Sequence, residues 1–242
     1  MKFTYVILVL PLLLFAEPSF GQQTFIINTA AHPPFHTADE KGIIDRLLKE
    51  AFRRLGHRLK VIKLPAERAL LNANSGLDDG DAFRIGGLEK SYPNLISVPE
   101  SLYTISFVGF TKKNNVSLNG WKSLRPFSVG IITGWKIFEQ KSSLMEQFAT
   151  ATNADKLFKI LVHNRVDLVL YSKLPGQFYI RKNKLDGIRI LQPPLKKVDM
   201  FLYLNKKHKG LVSKISRVLR AMKADRTYQE IIDPMLLPEI IN

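Results

Sequence analysis

Few side chains in this 242-residue sequence are typed and spaced for chemistry, and those few point to binding rather than turnover. Phe35 follows Pro33 and Pro34, which stiffen its loop. An aromatic face there can stack on a ligand or lie over a cation, or it can simply pack the loop. Arg68 stands in the first turn of the segment PAERAL, beside a helix N-terminus that favours anions, although a charge in a first turn is often merely solvated. Thr133, Gly134 and Trp135 form a turn between a β-prone run and a helix-prone one. Backbone N–H groups left free at such a turn suit an anionic group, and Gly134 lets the backbone approach closely. Trp135 either caps a cleft or packs between helices. His32 and His36 are four apart, but the two prolines between them prevent the helix that would aim both at one metal, so no metal site is expected. The sequence holds no Gly-x-Ser-x-Gly elbow, phosphate-cradling glycine loop, HExxH or calcium loop.

Composition narrows the classes further. With 45% hydrophobic and 24% charged residues the chain is of ordinary globular type, which excludes collagen-like, coiled-coil and disordered readings. There is no cysteine, so disulfide scaffolds, thiol nucleophiles, Cys-ligated metals and an acylated-Cys anchor are out, and no cofactor is expected. Lys and Arg number 36 against 21 Asp and Glu, a net charge of +15, which speaks of partners and surroundings and not of fold.

Residues 1–21 read as a cleavable signal peptide: Lys2 is a minimal basic start, the run from Phe3 to Ala16 is apolar, and Ser19-Phe20-Gly21 places small residues at a cleavage site. The apolar run of about 14 residues is short of the ~20 that span a bilayer. The mature chain is therefore expected in the periplasm, where a nucleic-acid partner is not.

The elements that must hold these residues follow an α/β alternation. Thr24–Asn28 reads as a strand; Ile44, Leu47, Leu48, Ala51, Phe52 and Leu55 repeat at helical spacing; Leu59–Leu64 is a strand; Pro65 opens a second helix that Gly76 ends; and Asp81-Ala82-Phe83 starts another strand. Ile105–Thr111 is a long β-prone run leading to a second α/β unit, with strands at Phe127–Ile132 and Val166–Tyr171 and helices expected over 136–148, 153–162 and 176–181. Val198–Leu204 is a second long β run, and two helices end the chain. The basic face of the first of these, with Lys214, Arg217, Arg220 and Lys223, reads as a solvated surface. Two crossings between two α/β units imply a hinge with a cleft between them.

The ordered pieces HPPF with LLKEAFRRLG, PAERALLNANSGLDDGDAF, YPNLISVPESLYTISFVGFTKK, VGIITGW, LFKILVHNRVDLVLY and the terminal LYLNKKHKGLVSKISRVLRAMKADRTYQEII together resemble the bacterial periplasmic solute-binding proteins of the polar-amino-acid type, receptors of ABC importers, over essentially the whole mature chain. The resemblance implies a two-lobed type II α/β fold with two crossing strands as hinge. Lobe one would be residues 22–111 plus 204–242, and lobe two 112–203. It implies a monomer that captures a small polar, acid-bearing solute for an ABC-type permease or a membrane sensor.

Where amino-acid-binding members of that family carry a Thr-Pro-Glu-Arg-like turn, this chain has RIGGLEKSYPN, with no such Arg. Arg84, earlier on the same loop, is the stand-in for the acid clamp, against an internal ion pair. Asp167 matches the Asp of the family's GxxD pattern, where a carboxylate receives a ligand ammonium, although Asn164 replaces the pattern's Gly and a structural hydrogen bond is the alternative. Tyr103 and Tyr171 are candidates on similar grounds. The same scaffold also resembles exported cyclohexadienyl dehydratases, whose acid–base pair would here fall to Asp167 or Glu67 with His32.

Overall fold

The computed structural model describes residues 23–236, so the signal-peptide reading of residues 1–21 lies outside the described residues. The first part of the chain builds β1 (Thr24–Thr29), α1 (Ile43–Arg54), β2 (Arg58–Lys63), α2 (Ala66–Ser75), β3 (Gly80–Arg84) and the short β4 (Leu95–Ser97). Strands β2, β1 and β3 are parallel neighbours, as the strand–helix alternation requires. Gly76 ends α2 at φ +82°, the left-handed conformation that its position past the last periodic residue called for.

Two long strands then tie the molecule together. β5 (Tyr103–Thr111) and β10 (Lys196–Asn205) pair antiparallel over Tyr103–Phe107 and Lys196–Met200. Beyond that stretch they part: β10 continues against β3, and β5 continues against β8 (Leu168–Ser172). On that far side β6 (Ser128–Ile132) lies between β8 and β7 (Gln147–Ala151), all three parallel. Helices α3 (Lys136–Glu139), α4 (Ala154–Val162) and α5 (Lys173–Lys182) and the two-residue β9 (Arg189–Ile190) complete this half. The strand order β2-β1-β3-β10-β5-β8-β6-β7 is thus two parallel sheets bridged by the two crossing strands.

Each half buries its own apolar surface. Phe25, Ile27, Leu47, Leu48 and Phe52 pack with Leu219, Met222 and Ile232, so the closing helices α6 (Lys209–Ala224) and α7 (Thr227–Leu236) dock back on the first half. Arg54 of α1 fixes that docking through Asp225 (2.6 Å) and the Thr227 hydroxyl (2.7 Å). In the second half β8 is buried along its whole length, and its side chains alternate. Leu168 and Leu170 enter one cluster with Ile131 and Phe138, while Val169 and Tyr171 enter another with Phe110 and Phe158.

One element departs from the expected pattern. The helix expected over 136–148 is a single turn, α3, and residues Gln147–Ala151 are instead strand β7 at the sheet edge. Pairing with β6, from Ser128↔Gln147 to Ile132↔Ala151, overrides the weak local helix preference of a stretch whose own side chains are largely exposed. Asn164, in the place of a glycine, adopts φ +55°, a conformation that Asn tolerates better than most residues, so the turn into β8 is kept.

Candidate functional site

A cleft of about 430 Å³ opens at the C-terminal ends of β6, β7 and β8, within the range of small-molecule sites. Ile132, Thr133 and Trp135 line it after β6, and Tyr171 lines it from the end of β8. Thr152, Asn153 and Asp155 line it where β7 passes into α4. Asn153 caps that helix, its Oδ1 accepting from Lys156 N at 2.9 Å. The wall facing these strand ends is one face of α5, formed by Pro175, Phe178, Tyr179 and Lys182 at helical i, i+3, i+4, i+7 spacing. Gly176 lets α5 lie this close, because a Cβ there would fall inside the Phe110 ring of β5. From the first half, His32 and Pro33 close one side.

The chemistry of the walls is aromatic with a few charges. The Trp135 ring lies parallel to Tyr171 (centroids 4.8 Å apart) and to Phe138 (5.8 Å). Tyr179 stacks on Phe158 at 4.9 Å and donates its hydroxyl to Asp155 Oδ1 at 2.7 Å. Burial raises the Tyr171 phenol to about 12, and burial with the Asp155 carboxylate does the same for Tyr179, so both rings stay neutral donors. His32 touches Lys63 (3.3 Å), and its pKa is lowered by desolvation and then by the Lys63 charge.

No family model matches the chain. An uncharacterized protein of Shewanella oneidensis is 25% identical over 190 residues, covering 74% of this chain and 70% of that protein. Among solved structures, an ancestral arginine-binding protein bound to arginine has a TM-score of 0.71 at 22% identity, over 88% of this chain and 97% of that one. The GluR0 ligand-binding core in complex with L-glutamate has a TM-score of 0.77 at 10% identity, over 88% and 98%. This chain has the two-lobed periplasmic-binding-protein fold. A histidine-kinase sensor domain with similarity to periplasmic binding proteins shares it, at a TM-score of 0.72 and 15% identity over 88% and 96%.

Within this two-lobed fold the residues singled out from sequence separate into two groups. Thr133, Trp135 and Tyr171 line the cleft together. Gly134 belongs to the same turn, but its N–H already donates to Glu139 Oε1 at 2.6 Å, while Thr133 N and Trp135 N donate to Ala151 O and Ile132 O. The backbone donors expected there are therefore satisfied within the chain. Phe35 is only 2% exposed, packed between Phe83 (4.3 Å) and Tyr103 (5.0 Å) on the first-lobe side of the hinge, which is the loop-packing alternative. Its loop is held by α1: Ile43 N and Ile44 N donate to Pro34 O and Phe35 O, and buried His36 bonds Asp45 at 2.7 Å.

Arg84 and Asp167 do not face the cleft as a clamping pair. The Arg84 guanidinium is committed to Asp81 Oδ2 (2.6 Å) and to Ala66 O (2.7 Å) inside lobe one. Asp167 lies at the opposite end of β8 from Tyr171, where its carboxylate accepts from Ser128 N (2.7 Å), Ser128 Oγ (2.9 Å) and Lys113 Nζ. It joins the starts of β6 and β8, and the Ser128 and Lys113 hydrogen bonds hold its pKa down against desolvation. Arg68 is exposed on α2 and is not among the residues lining the cleft. Glu67 accepts from the Tyr92 hydroxyl at 3.0 Å and Asp167 from Ser128, while among the described residues the side-chain partner of His32 is Lys63. Among the described residues no group of His, Asp and Glu is placed to hold a metal.

Asp155, Phe178, Tyr179 and Lys182 are cleft residues that the sequence reading passed over. The i, i+3, i+4, i+7 stripe of aromatics ending in a lysine was the available signal on α5. Asp155 gave none, since an acid in a first helical turn is ordinarily a response to the helix dipole.

Proposed function

We propose that the protein is an extracytoplasmic receptor that captures a small acid-bearing solute between two lobes, for an ABC-type permease or a membrane sensor. The observation that carries this reading is the cleft itself, which lies at strand C-termini next to a pair of crossing strands. The lobes divide near residues 111 and 204, and the crossing strands between them serve as the hinge. An acid on the ligand falls to Lys182, since Arg84 is engaged elsewhere. Solved neighbours bound to arginine, glutamine and L-glutamate, together with the substrate-binding protein of an amino-acid ABC transporter and a histidine-kinase sensor domain, support a solute receptor of either kind. Among the described residues no helix is long and apolar enough to cross a membrane. Export rests on residues 1–21, with Gln22 as the first residue of the exported form.

Native mass spectrometry of protein purified from a periplasmic extract tests this reading. The expected result is a one-to-one complex with a small acid, on a chain beginning at Gln22. Retained Met1 on the purified protein, or a periplasmic extract that lacks the protein while the cytoplasmic fraction holds it, would count against it.

A further inference from the structure

The two features best suited to clamp a carboxylate are both spent inside the protein. Arg84 is held by Asp81 and Ala66 O, and the Gly134 N–H is held by the chain's own Glu139 carboxylate. Recognition must therefore come from elsewhere on the cleft wall, and the α5 face supplies it. Phe178 lines the cleft half-buried, with no ring contact to another aromatic among the described residues. Lys182, one turn further, lines the same cleft with no ion-pair partner among the described residues. Asp155 lies across from this helix and binds the Tyr179 hydroxyl, yet it does not pair with Lys182.

We propose that α5 is the recognising wall of this cleft and that its ligand is a ring-bearing acid. The flat apolar body lies against Phe178 and Tyr179, the acid is held by Lys182, and Asp155 receives an amino group where the ligand has one. This rests on the reading of the cleft as the solute site. The physical reason is one of desolvation. An amide or second carboxylate pressed among the Phe178, Tyr171 and Trp135 rings would lose more water contact than those ring faces return, whereas an aromatic ring is matched by them. Glutamine and L-glutamate, named as ligands of solved neighbours, carry such polar ends.

The test is calorimetric titration of the mature chain with 3-phenylpropionate, L-phenylalanine, phenethylamine, L-arginine, L-glutamine and L-glutamate, with melting temperature as the check on folding. The two ring acids are expected to bind and phenethylamine not to. Lys182→Gln should weaken them by about 10- to 150-fold, the range for a hydrogen bond to a charged group. Phe178→Ala should weaken them at least about fivefold. Both variants should melt within a degree or two of the parent, since neither residue is fully buried. Phenethylamine binding as tightly as the acids, or ring acids unaffected by Lys182→Gln, would overturn the proposal. Tight binding of arginine, glutamine or glutamate in place of the ring acids would overturn it while leaving the receptor reading standing. Failure of every probe would tell against both.

Discussion

Asp81 shows how much a single buried group can govern. It is 0% exposed and lies beside Asn28 in the β1–β3 register. Asp81 Oδ1 and Asn28 Oδ1 are both buried acceptors without a donor. A proton on Asp81 gives it a donor to offer, and burial raises its pKa to about 7 even though the Arg84 charge pulls the other way. Because the folded value lies above the ordinary carboxyl value, the protonated form stabilises the fold fully below about pH 4, and that contribution is lost as pH rises through 7. Glu50 and Asp225 act in the opposite sense: arginine hydrogen bonds lower both to about 2, so their stabilisation is lost on acidification below about pH 4. Asp81→Asn should flatten the decline in melting temperature between pH 4 and 7 and leave the acid limb in place; an unchanged slope would refute the assignment. Asp167→Ala should cost about 1–3 kcal/mol in chemical denaturation, by stranding the Ser128 donors, and leave solute affinity intact. The types of Arg84 and Asp167 were legible in the sequence. Their partners were not, because Ser128 is 39 residues from Asp167 and only the β6–β8 pairing brings it near.

Among the elements, those with a strong local signal were legible: α1 and α6 fall where apolar spacing placed them, α2 between Pro65 and Gly76, and the crossing strands β5 and β10 on their long β-prone runs. β7 was not. Of its five residues, Gln147, Phe148 and Thr150 are exposed and only Ala151 is buried, so no alternation marks it and β6 alone makes it a strand. β4 and β9, three and two residues long, are likewise defined by the strands they meet. The α5 helix was legible, but its place in the cleft wall was not, since a Phe-Tyr-Lys stripe reads equally well as core packing until the cleft beside it is seen. Its seat is tight. Gly176→Ala should press a methyl into the Phe110 ring and lower stability by about 1–3 kcal/mol, with weaker ligand binding because the Phe178 and Lys182 wall is pushed outward. Unchanged stability and affinity would show that α5 adjusts freely.

For the whole molecule, the two-lobed plan followed from the order of its parts: two parallel α/β units, two long β runs, and helices returning to the first unit. What that order could not reveal was which lobe lines the cleft. The cleft takes most of its lining from lobe two, with only His32 and Pro33 from lobe one, so on the proposed function lobe one is the jaw expected to close. A jaw carried on two antiparallel strands is expected to move about them as a hinge. Small-angle X-ray scattering of the mature chain, with and without saturating 3-phenylpropionate, tests this account most directly. It predicts a smaller radius of gyration on saturation, with no change in Lys182→Gln at the same concentration. A wild-type protein saturated by calorimetry whose radius of gyration stays the same would contradict it.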